Sequence, residues 1–180
     1  MKILVVIDMQ NDFITGSLGT PEALAIVPNV KKKVREYIDN NDYIFYTRDT
    51  HCPTYLKSRE GKKLPVEHCV YKTEGWQIPE ELLPPFTYEK ASIIDKPTFG
   101  SMKLVNDIKG LWEYEPGNTE IELVGLCTGI CVASNALLLK AACYEDAEIS
   151  VDATCCACVT PETHEAALKT MEMCQINVKR

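Results

Sequence analysis

An α/β fold with a parallel sheet covered by helices on both faces is what this 180-residue sequence predicts, and three observations carry the expectation. Short β-branched runs alternate with segments of helical periodicity, the pattern left by repeated strand–helix–strand units. The strand segments are nearly continuous apolar runs, as expected when both faces of a sheet are covered. The length suits one core of this kind, so a single domain over residues 1–180 is expected.

Six strands are read at Ile3–Ile7, Tyr43–Thr47, Ser92–Asp95, Glu120–Gly125, Glu148–Val151 and Ile176–Val178. Val27, Val30, Val34 and Ile38 recur at helical spacing with Lys and Glu between them, so a helix joins the first two strands. Similar patterns cover Ser101–Leu111, Ile130–Cys143 and Pro161–Met173, the last opened by Thr160 as N-cap with Pro161 at its first position. The stretch from Asp49 to Glu89 is rich in Pro, Lys, Glu and Thr, with only a short helix expected near Ile78–Leu83. Loops of that length in a compact domain tend to carry function.

Hydrophobic residues make up 46% and charged residues 25%, the balance of an ordinary globular protein. A net charge of −7 leaves no general basic field for phosphates, and Lys31-Lys32-Lys33 reads as a solvated helix face, so nucleic acid is not an expected partner. The five apolar residues from Ile3 to Ile7 are too few for a signal peptide. No run approaches the roughly 18 apolar residues of a membrane span. Nine cysteines, an odd number without an export signal, read as reduced thiols of a cytoplasmic protein.

In an open parallel sheet, ligands bind outside the carboxyl ends of the strands. Asp8 lies just past the first strand, Asp49 and His51 past the second, Lys96 past the third, and Cys131 opens the helix after the fourth. A thiol attacks as thiolate, and a helix N-terminus beside a cation lowers its pKa. The segment Gly125-Leu126-Cys127-Thr128-Gly129-Ile130-Cys131 gives Cys131 this setting, with backbone N–H groups of the turn available to a developing oxyanion. Taken singly, Cys131 reads as a small buried hydrophobe, Asp8 as a turn carboxylate and Lys96 as a surface lysine. Together they make an acid–base set for acyl transfer. Asp49, His51 and His68 offer one carboxylate and two imidazoles, donors that suit Zn, Fe or Mn with open positions for water and substrate. His164 reads instead as a packing or surface residue.

The runs Ile7-Asp8-Met9-Gln10-Asn11-Asp12-Phe13, Thr47-Arg48-Asp49-Thr50-His51 and Leu64-Pro65-Val66-Glu67-His68-Cys69, with Lys96 and Gly125 to Cys131, resemble in order the signature of isochorismatase-like cysteine hydrolases, nicotinamidases above all. The likeness runs from Ile3 to about Met173. It implies a three-layer Rossmann-like fold with a six-stranded, mostly parallel sheet. It also implies a catalytic triad of Asp8, Lys96 and Cys131, ammonia release through a thioester, and a non-proline cis peptide at Leu126-Cys127. On the same resemblance, Asp49, His51 and His68 hold a divalent metal, zinc first and iron or manganese next, with Ser58 or Glu60 as a fourth ligand. Phe13 and Leu64 fall in the substrate pocket; the family often carries a stacking Trp before the Pro65 position, where this chain has Leu64, and Trp76 either takes its place in the pocket or packs the loop. Gly129 stands where the family commonly has Asp. Assembly with like chains is also implied.

Cys155 and Cys158 have a Cys-x-x-Cys spacing, but a zinc site normally needs a second such half, so buried reduced thiols outside the site are expected. The leading function is hydrolysis of a small-molecule amide, nicotinamide to nicotinate and ammonia. The alternatives are an amidase for another carbamoyl, ureido or carboxamide compound, and a non-catalytic thiol- or metal-binding protein on the same fold.

Overall fold

The computed structural model describes residues 1–114, 117–143 and 146–180. Among these, six strands form one parallel sheet: β1 (Lys2–Ile7), β2 (Tyr43–Asp49), β3 (Ala91–Lys96), β4 (Thr119–Leu126), β5 (Ala147–Ala157) and β6 (Asn177–Lys179), in the order β3-β2-β1-β4-β5-β6. Five α-helices accompany them: α1 (Asn11–Ile14), α2 (Pro21–Asp39), α3 (Met102–Tyr114), α4 (Ala133–Cys143) and α5 (Pro161–Met173). No helix among the described residues is long and apolar enough to cross a membrane.

Successive strand residues point to opposite faces, and β1 divides its side chains accordingly. Ile3, Val5 and Ile7 join a core with Leu104 and Ile108 of α3, Leu139 of α4 and Met171 of α5. Leu4 and Val6 join a second core with Ile26, Val30, Val34 and Tyr37 of α2. Helices therefore cover both faces, which is why the strands read as unbroken apolar runs. Both long caps are polar and local: Thr20 Oγ1 accepts from the Ala23 N–H at 3.0 Å, and Thr160 caps α5 as its sequence predicts.

Several elements differ from expectation. Lys96 is the last residue of β3 rather than a residue beyond it. β5 runs on to Ala157 instead of stopping at Val151, so most of the cysteine cluster lies in a strand, Cys155 in one core and Cys156 in the other. The segment expected to begin a helix at Ile130 opens with a wide π-type turn over Thr128–Val132 before α4. The short helix near Ile78–Leu83 is a single 3₁₀ turn, Glu80–Leu82, and α1 was not expected.

The chain builds β1, β2 and β3 to one side, then returns to place β4, β5 and β6 on the other. The connections thus leave β1 and β4 in opposite directions and open a crevice at their carboxyl ends. Asp8 follows β1 there, and Cys131 follows β4.

Candidate active site

Three buried side chains meet at this crevice. Asp8 has a φ of 48°, uncommon for a residue with a Cβ. Its N–H donates to the Thr47 carbonyl at 3.2 Å, and Thr47 Oγ1 donates to Asp8 Oδ1 at 2.6 Å. β3 lies two places from β1, so the long stem of Lys96 passes β2 to bring Nζ within 2.6 Å of Asp8 Oδ2. The same ammonium lies 3.6 Å from Cys131 Sγ and donates to the Thr98 carbonyl at 3.1 Å. Exposure is 0% for Asp8, 1% for Lys96 and 5% for Cys131, so their charges act on one another with little screening.

Burial opposes charge on Lys96, but Asp8 beside it outweighs that effect and holds its pKa above the ordinary value, so it stays an ammonium. Burial raises the Asp8 carboxyl despite the offset from Lys96, which makes it a better proton acceptor than a surface carboxylate. Burial also pushes the Cys131 thiol up, and the negative charge of Asp8 adds to this while Lys96 offsets only part. The sequence-based expectation of a lowered thiol pKa is therefore corrected. The thiol form of Cys131 is thus the one its surroundings favour.

Gly125 shapes the turn below Cys131. Its φ is +118°, and a Cβ there would stand 2.1 Å from the Ile7 carbonyl oxygen. Only glycine permits both. The Leu126-Cys127 peptide is cis, as the resemblance implies. The Cys127 carbonyl accepts from the N–H groups of Ile130 at 3.0 Å and Val132 at 3.2 Å. His164 is more than a packing residue: its Nδ1 is 2.8 Å from Thr128 Oγ1, tying α5 to the turn. A Cβ on Gly129 would lie 3.3 Å from Ala167 Cβ and 3.6 Å from Cys158 Sγ, so a side chain here would require α5 to shift by a few tenths of an ångström.

On the opposite wall, Asp49, His51, Glu60 and His68 each offer a ligand atom, all within 4.8 Å of one another. Donors about 2.1 Å from one ion lie up to about 4.2 Å apart, so small side-chain shifts would close this set around a metal. His68 Nδ1 is 2.8 Å from the Val66 carbonyl, a contact that places a proton on Nδ1, and Nε2 faces Asp49 Oδ2 at 3.4 Å. His51 Nε2 lies 3.0 Å from Asp49 Oδ2 and 3.7 Å from Glu60 Oε1. Burial favours a neutral Asp49, but hydrogen bonds with His51 and His68 outweigh it and hold the carboxyl well below its ordinary range. Of the two proposed fourth ligands, Glu60 is in the cluster. Ser58 Oγ instead accepts from the Gly61 N–H at 2.8 Å.

Between these walls lies a cavity of about 460 Å³, lined among others by Phe13, Leu64, His68, Phe99, Ile130 and Cys131. Trp76 does not line it. The ring stacks under the Arg48 guanidinium at 3.6 Å and donates from Nε1 to Thr50 Oγ1 at 2.9 Å, bracing the loop after β2. Cys158 does line the cavity, contrary to the reading of it as a thiol outside the site, whereas Cys155 packs in the core beneath α2.

An isochorismatase-domain family model matches residues 2–179. The chain belongs to the isochorismatase family. A relative within it, the nicotinamidase of Saccharomyces cerevisiae, is 24% identical over 174 residues, covering 76% of this chain and 80% of the yeast protein. The crystal structure of a Pyrococcus horikoshii pyrazinamidase in complex with zinc superposes with a TM-score of 0.82 at 26% identity, covering 99% of this chain and 98% of the other. A pyrazinamidase/nicotinamidase from Streptococcus mutans gives 0.82 at 25% identity over 99% of each chain.

In this isochorismatase-family chain, two residues that hold the loops carrying Asp49 and His68 escaped sequence reasoning. Gln10, fully buried, accepts from the Asp49 N–H at 2.7 Å and donates to the Asp49 and Trp76 carbonyls, both at 2.9 Å. Asp12 Oδ2 accepts at 2.7 Å from the N–H of Cys69, next to His68. The chain around Cys69 is also stitched to His51, whose N–H donates to the Cys69 carbonyl at 2.9 Å. The signal available was a run of polar residues directly after a wholly apolar strand.

Proposed function

We propose that this protein hydrolyses the carboxamide of nicotinamide, with Cys131 as nucleophile, Asp8 as proton acceptor and donor, and Lys96 as the fixed positive charge. The observation that carries the reading is the buried Asp8–Lys96–Cys131 contact opening on a cavity that Asp49, Glu60 and His68 of the Asp49–His51–Glu60–His68 cluster also line. As sulfur adds to the carboxamide carbon, the thiol proton passes to Asp8. The carbon–nitrogen bond then breaks, and ammonia leaves with that proton. Water next adds to the thioester, gives a proton to Asp8, and the carbon–sulfur bond breaks to restore the thiol and release nicotinate. Lys96 stabilises the negative charge that appears near sulfur.

Asp49, His51, His68 and Glu60 would hold a divalent ion, zinc by its preference for imidazole and carboxylate donors, and such an ion supplies a Lewis-acid contact for a ring nitrogen. The similarity to a nicotinamidase and a pyrazinamidase supports nicotinamide or its pyrazine analogue as the amide. Apart from a bound ion, the lining side chains offer no free cation to the carboxylate of a carbamoyl or ureido acid: the charged ones are Asp49 and Glu60, and the neighbouring Lys96 is already paired with Asp8. All nine cysteines are unpaired, which supports a reducing, cytoplasmic setting. Ammonia release from nicotinamide, pyrazinamide, N-carbamoylsarcosine and ureidoacrylate tests the reading. Turnover of the first two is expected, and turnover of only the carboxylate-bearing pair would overturn it.

A further inference from the structure

Asn135 is completely buried in the first turn of α4, four residues after Cys131. Its amide bridges two segments of the site. Nδ2 donates to the Cys131 carbonyl at 2.8 Å and to the Phe99 carbonyl at 3.0 Å, while Oδ1 accepts from the Ser101 N–H at 2.9 Å. This orientation alone gives two carbonyls a donor and an N–H an acceptor, so the amide is assigned by its network.

Phe99 and Ser101 belong to residues 97–101, the segment that leaves Lys96. The Lys96 ammonium donates to Thr98 within it, and Thr98 Oγ1 in turn donates to the Gly100 carbonyl at 2.7 Å. Ser101 Oγ caps α3 by accepting from the Leu104 N–H at 3.1 Å. Gly100 lies so near α4 that a Cβ would stand 2.6 Å from Leu138 Cδ1. The loop carrying the ammonium's backbone partner is thus fastened to the helix that follows the sulfur, and two of Asn135's three hydrogen bonds run between them.

We infer that Asn135 is a positioning residue that sets the distance between Lys96 Nζ and Cys131 Sγ by locking the 97–101 loop to the start of α4. A side chain that served only the helix would need the Cys131 carbonyl alone. The two bonds to the loop are what couple ammonium to thiol.

The test separates those roles with Asn135→Thr. A threonine hydroxyl can return to the carbonyl four residues back, here that of Cys131, but is too short to hold the loop. Two readouts are taken. One is the pH midpoint of Cys131 alkylation by iodoacetamide, followed on the Cys131 peptide by mass spectrometry. The other, which rests on the amidase reading, is nicotinamide turnover. The midpoint should move to higher pH as the ammonium drifts from sulfur. The kcat should fall roughly 10- to 100-fold at nearly unchanged KM, as misplacement by about an ångström does. A folded Asn135→Thr protein with the wild-type alkylation midpoint overturns the inference whatever its turnover. If that variant does not fold, Asn135→Ser, smaller and capable of the same back-bond, is read by the same criterion. A wild-type protein inert toward nicotinamide would sink the substrate assignment and leave the alkylation test of Asn135 intact.

Discussion

The Lys96 ammonium and the Asp8 carboxylate stand 2.6 Å apart with neither side chain reaching solvent. Such a pair is costly to assemble and more costly to break, because removal of one partner leaves a buried charge without compensation. Asp8→Asn or Lys96→Met alone should destabilise the protein by about 3–5 kcal/mol. The double variant should lose less than the sum, since no charge is then stranded. Urea denaturation of the three proteins measures this, and strict additivity would contradict it. Each single variant, and Cys131→Ala, should also lack amide turnover, with no further loss on combination.

Metal removal should separate binding from thiol chemistry. Dialysis against a chelator should inhibit nicotinamide hydrolysis, and added zinc should restore it. His51→Ala should mainly raise KM for nicotinamide and leave Cys131 alkylation unchanged. Because bound ligands must be unprotonated, metal content should fall as pH drops below about 6. Elemental analysis across pH is the check, and a His51→Ala protein with wild-type metal content and KM would remove the site from the mechanism.

The two cysteines of the Cys-x-x-Cys spacing should behave differently. Cys158 faces the cavity, so Cys158→Phe fills it and should raise KM for nicotinamide by roughly tenfold or more. Cys155 lies in the core beneath α2, so Cys155→Ser should cost about 1–2 kcal/mol of stability for a buried hydroxyl and leave kcat and KM in place. Steady-state kinetics beside thermal melts distinguishes the pair. Equal kinetic effects from both would contradict the structure.

Acid sensitivity should arise away from the site, where Glu122 and Asp152 share Lys33. Glu122 Oε1 lies 2.8 Å from Lys179 Nζ, Glu122 Oε2 3.3 Å from Lys33 Nζ, and Lys33 Nζ 2.9 Å from Asp152 Oδ2. Burial opposes ionisation of both carboxylates, but their hydrogen bonds and the lysine charge outweigh it and hold both pKa values below ordinary. Since the folded value is the lower one, this stabilisation is complete above the usual carboxylate range near 4 and is lost as pH falls through the folded values. Glu122→Gln should therefore lower stability at pH 7 by about 3 kcal/mol and flatten its decline in acid. Melting temperatures between pH 7 and pH 3 test the slope. A Glu122→Gln curve parallel to wild type would refute the assignment.

Much of the fold was legible because its signals are local. An apolar run such as Ile3 to Ile7 announces a strand buried on both faces, and Thr160-Pro161 announces a helix start from neighbouring residues alone. The ends of β5 were less legible, because Thr154 and the cysteines favour no single periodicity and pairing with β4 is what carries the strand to Ala157.

The sequence by itself determined the α/β class, the placement of Asp8, Lys96 and Cys131 at strand ends, and the grouping of Asp49, His51 and His68, since all of these follow from short-range pattern and motif order. Tertiary structure alone decided that Glu60 rather than Ser58 joins the cluster, that Trp76 stacks on Arg48 outside the cavity, that Cys158 lines it, and that Asn135 bridges the two halves of the site. It also reversed the expected direction of the Cys131 pKa. The reason is common to all five. Burial and contact between residues distant in the chain depend on how sheet register and helix packing fold them together, and neither quantity is encoded in any stretch of neighbours.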